Sequence, residues 1–170
     1  MAGGNSFFAA QHGFACDFVS NFEVVLASGR IVNANTRSNP QLFKALKGGG
    51  NNFGIVTRFD FKTFIQSQLW AGFIFYPYQT APIQLRALEN FTRASGAGVD
   101  PYASVINAYI FGQTGPQVVA NQYTYTKPKA YPAILRPFTD INPQISNSMR
   151  IARLTNITDE VGAGTPNGYR

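Results

Sequence analysis

Residues 47–56 read Lys47-Gly48-Gly49-Gly50-Asn51-Asn52-Phe53-Gly54-Ile55-Val56, which places four glycines inside seven positions. Side chains cannot cover the backbone there, so its N–H groups stay open to the close approach of another backbone or of a ligand. Upstream, Ser38 or Asn39 as cap and Pro40 at the first helical position predict a helix over 41–47, with Leu42, Phe43, Ala45 and Leu46 as its apolar stripe and Gly48 as its stop. Two turns are too few to stand alone, so this helix must dock on something. Downstream, 53–64 predicts a strand. Polar and apolar residues alternate from Thr57, whereas Ile55 and Val56 are both apolar, a pattern of burial on both faces at the start and half-exposure at the end. A glycine loop that leaves a helix and enters a strand is neither a Walker loop nor a dinucleotide fingerprint, because the first needs Lys-Ser/Thr after it and the second opens a helix. It reads either as a tight helix-to-strand turn or as a main-chain cradle.

Before this loop, two β-rich runs, 22–27 and 30–34, flank Ser28-Gly29 and predict a hairpin. After it, composition shifts at Ile65-Gln66-Ser67-Gln68, and a domain boundary is expected there, giving residues 1–66 and 67–170. The second part reads as strand 69–78, helix 81–94, strand 103–111, turn 112–116, strand 117–126 and a weak helix at 130–138. That order is the split βαβ of a ferredoxin-like fold without its last strand. The tail from Thr139 reads mostly as loop, with Gly162-Ala163-Gly164-Thr165-Pro166-Asn167-Gly168 its clearest stretch. The fold class expected is therefore α+β.

Chemistry-bearing groups are sparse. The formal charge is +6, but the basic residues are scattered and form no run, so a nucleic-acid partner is not expected. No apolar stretch is long enough to span a membrane, and no membrane partner is expected. Cys16 is the one cysteine, which excludes an internal disulfide and a cysteine-based metal site, and its setting beside Ala15 and Asp17 suits an inert thiol. His12 is the one histidine, so a His-rich metal site cannot be built and no metal is expected. Ser6 and Ser38 lie in no nucleophile elbow. On the two later strands, Asn107 and Tyr109 share a face with Val105 and Phe111, and Tyr123 and Tyr125 share one with Val119 and Asn121. That surface of aromatics and amides suits a substrate-pocket wall or a wet outer face.

The string Gly3-Gly4-Asn5-Ser6-Phe7-Phe8, then Gly13-Phe14-Ala15-Cys16-Asp17, the hairpin from Asn21 to Gly29, Asn39-Pro40-Gln41-Leu42-Phe43 and the glycine loop into Phe53-Gly54-Ile55-Val56-Thr57 resembles one family in order, spacing and residue type. The chain is similar to FAD-linked oxidoreductases with a p-cresol-methylhydroxylase (PCMH)-type FAD-binding domain, of the vanillyl-alcohol-oxidase superfamily, particularly the fungal berberine-bridge-enzyme-like oxidases. The stretches Gly72-Phe73-Ile74-Phe75-Tyr76-Pro77 and Tyr125-Thr126-Lys127-Pro128 are similar to the family's substrate domain.

The resemblance implies that residues 1–66 are the C-terminal part of the FAD-binding domain and 67–170 a partial substrate-binding domain. It implies FAD as cofactor, with Gly3, Gly4, Asn5, Asn51, Gly54, Ile55 and Val56 near it through main-chain groups, and a small-molecule substrate whose alcohol or C–H bond is oxidised by hydride transfer to flavin N5. The family's first flavin subdomain and its closing segments lie outside the matched stretch, so the chain is expected to be a fragment, and its catalytic residues are not assigned. A truncated, inactive remnant or an interaction module stays open as the alternative. Family members are often secreted, but the N-terminus shows no signal peptide, and localisation and oligomeric state are left open.

Overall fold

The computed structural model describes residues 3–93, 99–112, 115 and 117–163. The chain divides into two compact units, Met1–Ile65 and Gln66–Arg170. The expected helix end at Ala94, the turn residues Gln113, Thr114 and Pro116, and the tail loop from Gly164 onward lie outside the described residues.

In the first unit, α1 (Ala9–His12) and a 3-10 turn (Ala15–Phe18) lead into β1 (Val19–Val25). Asp17 closes this turn by accepting the N–H of Phe14 at 3.0 Å. β1 is the central strand, antiparallel to β2 (Ile31–Asn35) on one side and to β3 (Ile55–Phe61) on the other. The hairpin forms around Gly29 at φ +79°, with Val25 opposite Ile31. On the outer face Asn21 gathers the three strands: its Nδ2 donates to Asn33 Oδ1 and to Asp60 Oδ2, and its Oδ1 accepts from Asn35 Nδ2. On the inner face Val19, Phe22, Val24 and Ala34 pack against Phe43 and Leu46 of α2 (Pro40–Leu46). Each large apolar side chain so buried stabilises the unit by about 1.5–3 kcal/mol, which is what holds a two-turn helix.

Two local expectations need correction. Asn39 precedes Pro40 as the cap position predicts, yet it makes no side-chain cap; it sits at φ 52° and turns its Nδ2 back to the Asn33 carbonyl at 2.8 Å. The start of β3 is not buried on both faces. Ile55 is 70% exposed, because β3 is an edge strand and this end of it borders an open cavity.

The second unit runs β4 (Leu69–Pro77), α3 (Ala81–Arg93), β5 (Ala103–Ile110), β6 (Val118–Tyr125), a 3-10 turn (Ala133–Leu135) continued by α4 (Arg136–Thr139), then β7 (Ser146–Asn147), β8 (Arg150–Ala152) and α5 (Leu154–Ala163). Its antiparallel sheet has the order β5-β6-β4-β7, with β8 also paired to β4. This is the ferredoxin-like order, and its fourth position is not missing: two short pieces, β7 and β8, fill it. They are only two and three residues long, too short for a period-two pattern to reveal. Helix α5 was not anticipated either. Its Thr155, Asn156 and Thr158 are weak helix formers, and burial of Ile157 accompanies its docking.

The core of this unit lies on one sheet face. Trp70, Ile74 and Tyr76 of β4 and Val119 and Tyr123 of β6 pack with Ala81 and Ala87 of α3 and Phe138 of α4. Tyr76 donates its hydroxyl to the Phe138 carbonyl at 3.0 Å, so the buried phenol is satisfied.

Gly54 joins the glycine loop to β3 and has no room for a side chain. Its φ is +133°, and a Cβ there would stand 2.6 Å from the Val25 carbonyl oxygen and 2.8 Å from Val24 Cγ1. Gly54→Ala is therefore expected to destabilise the chain by about 2–4 kcal/mol. Urea denaturation measures it, and an unchanged midpoint would contradict this close approach.

Candidate functional site

The glycine loop and the adjoining ends of β1 and β3 border an open cavity of about 780 Å³. Asn51, Gly54, Ile55 and Val56 line it together. Val25, Leu26, Ala27 and Phe59 also line it, and they were not anticipated from sequence. Their signal lay in the pairing of β1 with β3, which sets Val25 beside Ile55 and Val24 beside Val56. Gly50 has φ +65°, and a side chain there would meet nothing within 4 Å, so the main chain faces open space at that point. Asn52 is already committed, its Nδ2 donating to the Gly49 carbonyl at 2.8 Å. Apolar walls beside an accessible main-chain edge suit a planar ring with a polar rim.

Gly3, Gly4 and Asn5 do not line this cavity. The carbonyls of Gly3 and Gly4 accept the N–H groups of Cys16 and Ala15, each at 2.8 Å. Gly4 lies at φ +85°, and a Cβ on it would stand 2.8 Å from the Cβ of Ala15, so packing alone requires glycine there. Asn5 Oδ1 accepts the N–H of Ser6. His12 packs its ring against Phe18 and Phe64, and Cys16 is buried. Among the described residues no group of three or more His, Cys, Asp or Glu could hold a metal ion.

In the second unit the expected pocket wall is the core. Register places Asn107 opposite Asn121 and Tyr109 opposite Val119, on the face that also carries Tyr123 and Tyr125. Tyr123 is fully buried and Tyr125 nearly so, and Asn121 Nδ2 donates to Gln84 Oε1 of α3 at 3.0 Å and to the Tyr123 hydroxyl oxygen at 2.7 Å. Burial pushes the Tyr123 phenol up, so it stays protonated. Asn107, Tyr109, Tyr123 and Tyr125 thus do not form an open pocket. The helices that follow β4 and β6 pack on their face, together with Trp70, Ile74 and Tyr76.

The opposite face is open. Phe73 and Phe75 of β4, Ile106 and Ile110 of β5 and Gln122 of β6 line a cavity of about 590 Å³ there, with Glu160 of α5 at its rim. Glu160 Oε1 accepts the Ser148 hydroxyl at 2.6 Å, and Oε2 pairs with Arg150 Nη1 at 2.6 Å. Partial burial works to raise the Glu160 carboxyl, but the Ser148 hydroxyl and the Arg150 guanidinium outweigh it and hold the carboxyl below the usual glutamate range. The cavity therefore has a fixed anion at one edge.

No family model matches the chain. It is 40% identical over 171 residues to an FAD-dependent monooxygenase of Cercospora beticola, covering 95% of this chain and 32% of that protein. It is 41% identical over 172 residues to an FAD-dependent monooxygenase of Phaeosphaeria nodorum, covering 94% of this chain and 51% of that one. A xylooligosaccharide oxidase of Myceliophthora thermophila superposes at a TM-score of 0.73 with 26% identity, over 96% of this chain and 34% of its own. BBE-like 1 of Physcomitrella patens superposes at 0.77 over 99% and 36%; at 17% identity that likeness concerns the fold alone.

The chain is a homologue of these FAD-dependent monooxygenases over nearly its whole length, and it shares its fold with vanillyl-alcohol-oxidase-type flavoenzymes. It spans only 32% and 51% of these two monooxygenases. One relative from Diaporthe leptostromiformis bears the name of an oligopeptidase at 39% identity over 173 residues, but the matched part is 14% of that protein.

The Glu160 pair links stability to pH. A carboxyl held low when folded contributes stability above the ordinary glutamate value of about 4.3, and the contribution is lost as pH falls through the lower folded value. Glu160→Gln is expected to lower the denaturation midpoint at pH 7, and the gap from the wild-type chain should close as pH drops below about 4. A gap independent of pH would contradict the ionic assignment.

Proposed function

We propose that this chain forms part of an FAD-dependent oxidoreductase that oxidises an alcohol or C–H bond of a small molecule. The observation that carries this reading is the cavity in which Asn51, Gly54, Ile55 and Val56 meet, in a chain 40% identical to an FAD-dependent monooxygenase. In this reading residues 1–66 are the C-terminal part of the FAD-binding domain and 67–170 a substrate-binding domain. The main chain from Gly50 to Gly54 supplies N–H donors to the polar part of the cofactor, while Ile55, Val56 and Phe59 present apolar surface to its ring. Gly3, Gly4 and Asn5 form a second backbone segment assigned to the cofactor by resemblance. FAD, when bound, supplies the two-electron acceptor for the substrate's hydride. The chain's own part is to hold the ring, exclude water with apolar walls, and seat the substrate against the open face of the second unit's sheet.

Titration of the chain with FAD, followed by quenching of flavin fluorescence, tests the reading. Saturable but weak binding is expected, since the chain spans 32% and 51% of the two monooxygenase relatives. Ile55→Asp, at a position exposed enough to leave folding intact, should weaken binding about tenfold, or roughly 1.4 kcal/mol, by setting a carboxylate beside an anionic cofactor. Absence of saturable binding, or affinity indifferent to this charge, would sink the cofactor assignment.

A further inference from the structure

Gln122 is 7% exposed, yet its Nε2 has no hydrogen-bond partner. It stands opposite Phe73 on one side and opposite Ile106 on the other, so a lone amide sits in the middle of an apolar surface. A buried donor left unmet carries its full desolvation penalty, and an apolar residue of similar shape would avoid it. Apart from the exposed hydroxyl of Ser146, the polar side chains at the rim of the same cavity are committed to one another. Ser148 bonds Glu160, Glu160 also holds Arg150, and Asn147 is taken up by Gln144 and the Met149 N–H.

What this cavity offers a ligand is therefore two phenyl rings, Phe73 and Phe75, branched aliphatic walls and one uncommitted N–H donor. Its volume of about 590 Å³ lies within the range of small-molecule sites. An oligosaccharide would bring many hydroxyls that such walls leave unpaired, and each would lose its water for nothing. A ring system with a single acceptor loses nothing comparable. The last torsion of a glutamine side chain is broad and roughly two-fold, so turning the amide over would present the buried Nε2 to the cavity.

We propose that Gln122 is a specificity-determining residue of this site, donating a hydrogen bond to the carbonyl oxygen of an aryl ketone seated against Phe73 and Phe75. This rests on the reading of the open sheet face as the substrate side. It also separates the chain from carbohydrate oxidation, the activity named for the xylooligosaccharide oxidase with the same fold.

The test uses matched probes, 1-tetralone and tetralin, which share a skeleton and differ in the carbonyl. Each is titrated into the ¹⁵N-labelled chain while the Gln122 side-chain amide is followed by NMR. 1-Tetralone should bind about tenfold more tightly than tetralin, the yield of one net hydrogen bond, and should shift the Gln122 amide pair. In Gln122→Leu the two affinities should become equal, and xylobiose should leave the wild-type amide unmoved. Equal affinities in the wild-type chain, a ketone preference that survives Gln122→Leu, or a Gln122 shift with xylobiose instead of 1-tetralone would overturn the proposal. The wild-type titrations decide even where the variant fails to fold. FAD titration of the same sample reads the cofactor assignment separately: flavin binding without ketone preference overturns this proposal alone, and ketone preference without flavin binding supports it while overturning the cofactor reading.

Discussion

Inside the second unit Asn121 gives one Nδ2 hydrogen to Gln84 Oε1 and the other to the Tyr123 hydroxyl oxygen, with all three residues fully buried. This bond ties α3 to the middle of the sheet, and much else depends on it. Strand side chains alternate with period two, so once the face of Asn121 and Tyr123 lies under α3, Gln122, Ala120 and their cross-strand partners Phe73 and Phe75 are turned the other way. The open cavity is the remainder of that choice. The polar core is also demanding: Gln84 Nε2, Asn121 Oδ1, both polar atoms of Asn107 and the Tyr109 hydroxyl are buried without partners among the described residues. Groups of that kind are retained where a polar arrangement selects one packing over others, since apolar replacements would avoid the desolvation.

In the first unit the comparable constraint is steric. The Val25 carbonyl approaches Gly54 too closely for any side chain, and this approach sets Ile55 and Val56 in register with the end of β1. The glycine loop therefore does two things at once. It turns the chain from α2 into β3, and it leaves main chain facing a cavity at Gly50. The two readings that spacing alone left open, turn or cradle, do not exclude each other.

Much of the architecture was legible because the signals were local. Ser28-Gly29 between two β-rich runs marked the hairpin, Asn39-Pro40 marked the helix start, and the long strands β4, β5 and β6 carried enough residues to show their period. The elements that residue order does not reveal are short or weakly encoded. β7 and β8 are below the length at which alternation can be recognised, and α5 is built from poor helix formers held by tertiary packing. Ile55-Val56 reads as doubly buried, although an edge strand beside a cavity leaves Ile55 exposed and Val56 only half-buried.

The candidate site divides in the same way. Asn51, Gly54, Ile55 and Val56 are consecutive or nearly so, and a motif that short carries its own geometry, so their convergence was readable from residue order. Val25 and Leu26 join them only through strand pairing across some thirty residues of chain. Residue order by itself determined the α+β class, the elements with strong periodicity and the glycine-lined turn, because each is set by neighbours within a few positions. Which face of the second sheet is core could not come from that source. The face of Asn107, Tyr109, Tyr123 and Tyr125 and the face of Phe73, Ile106 and Gln122 both mix aromatic, aliphatic and amide groups, so period two identifies two faces without ranking them. Helix docking, a long-range competition for buried apolar area, made the choice.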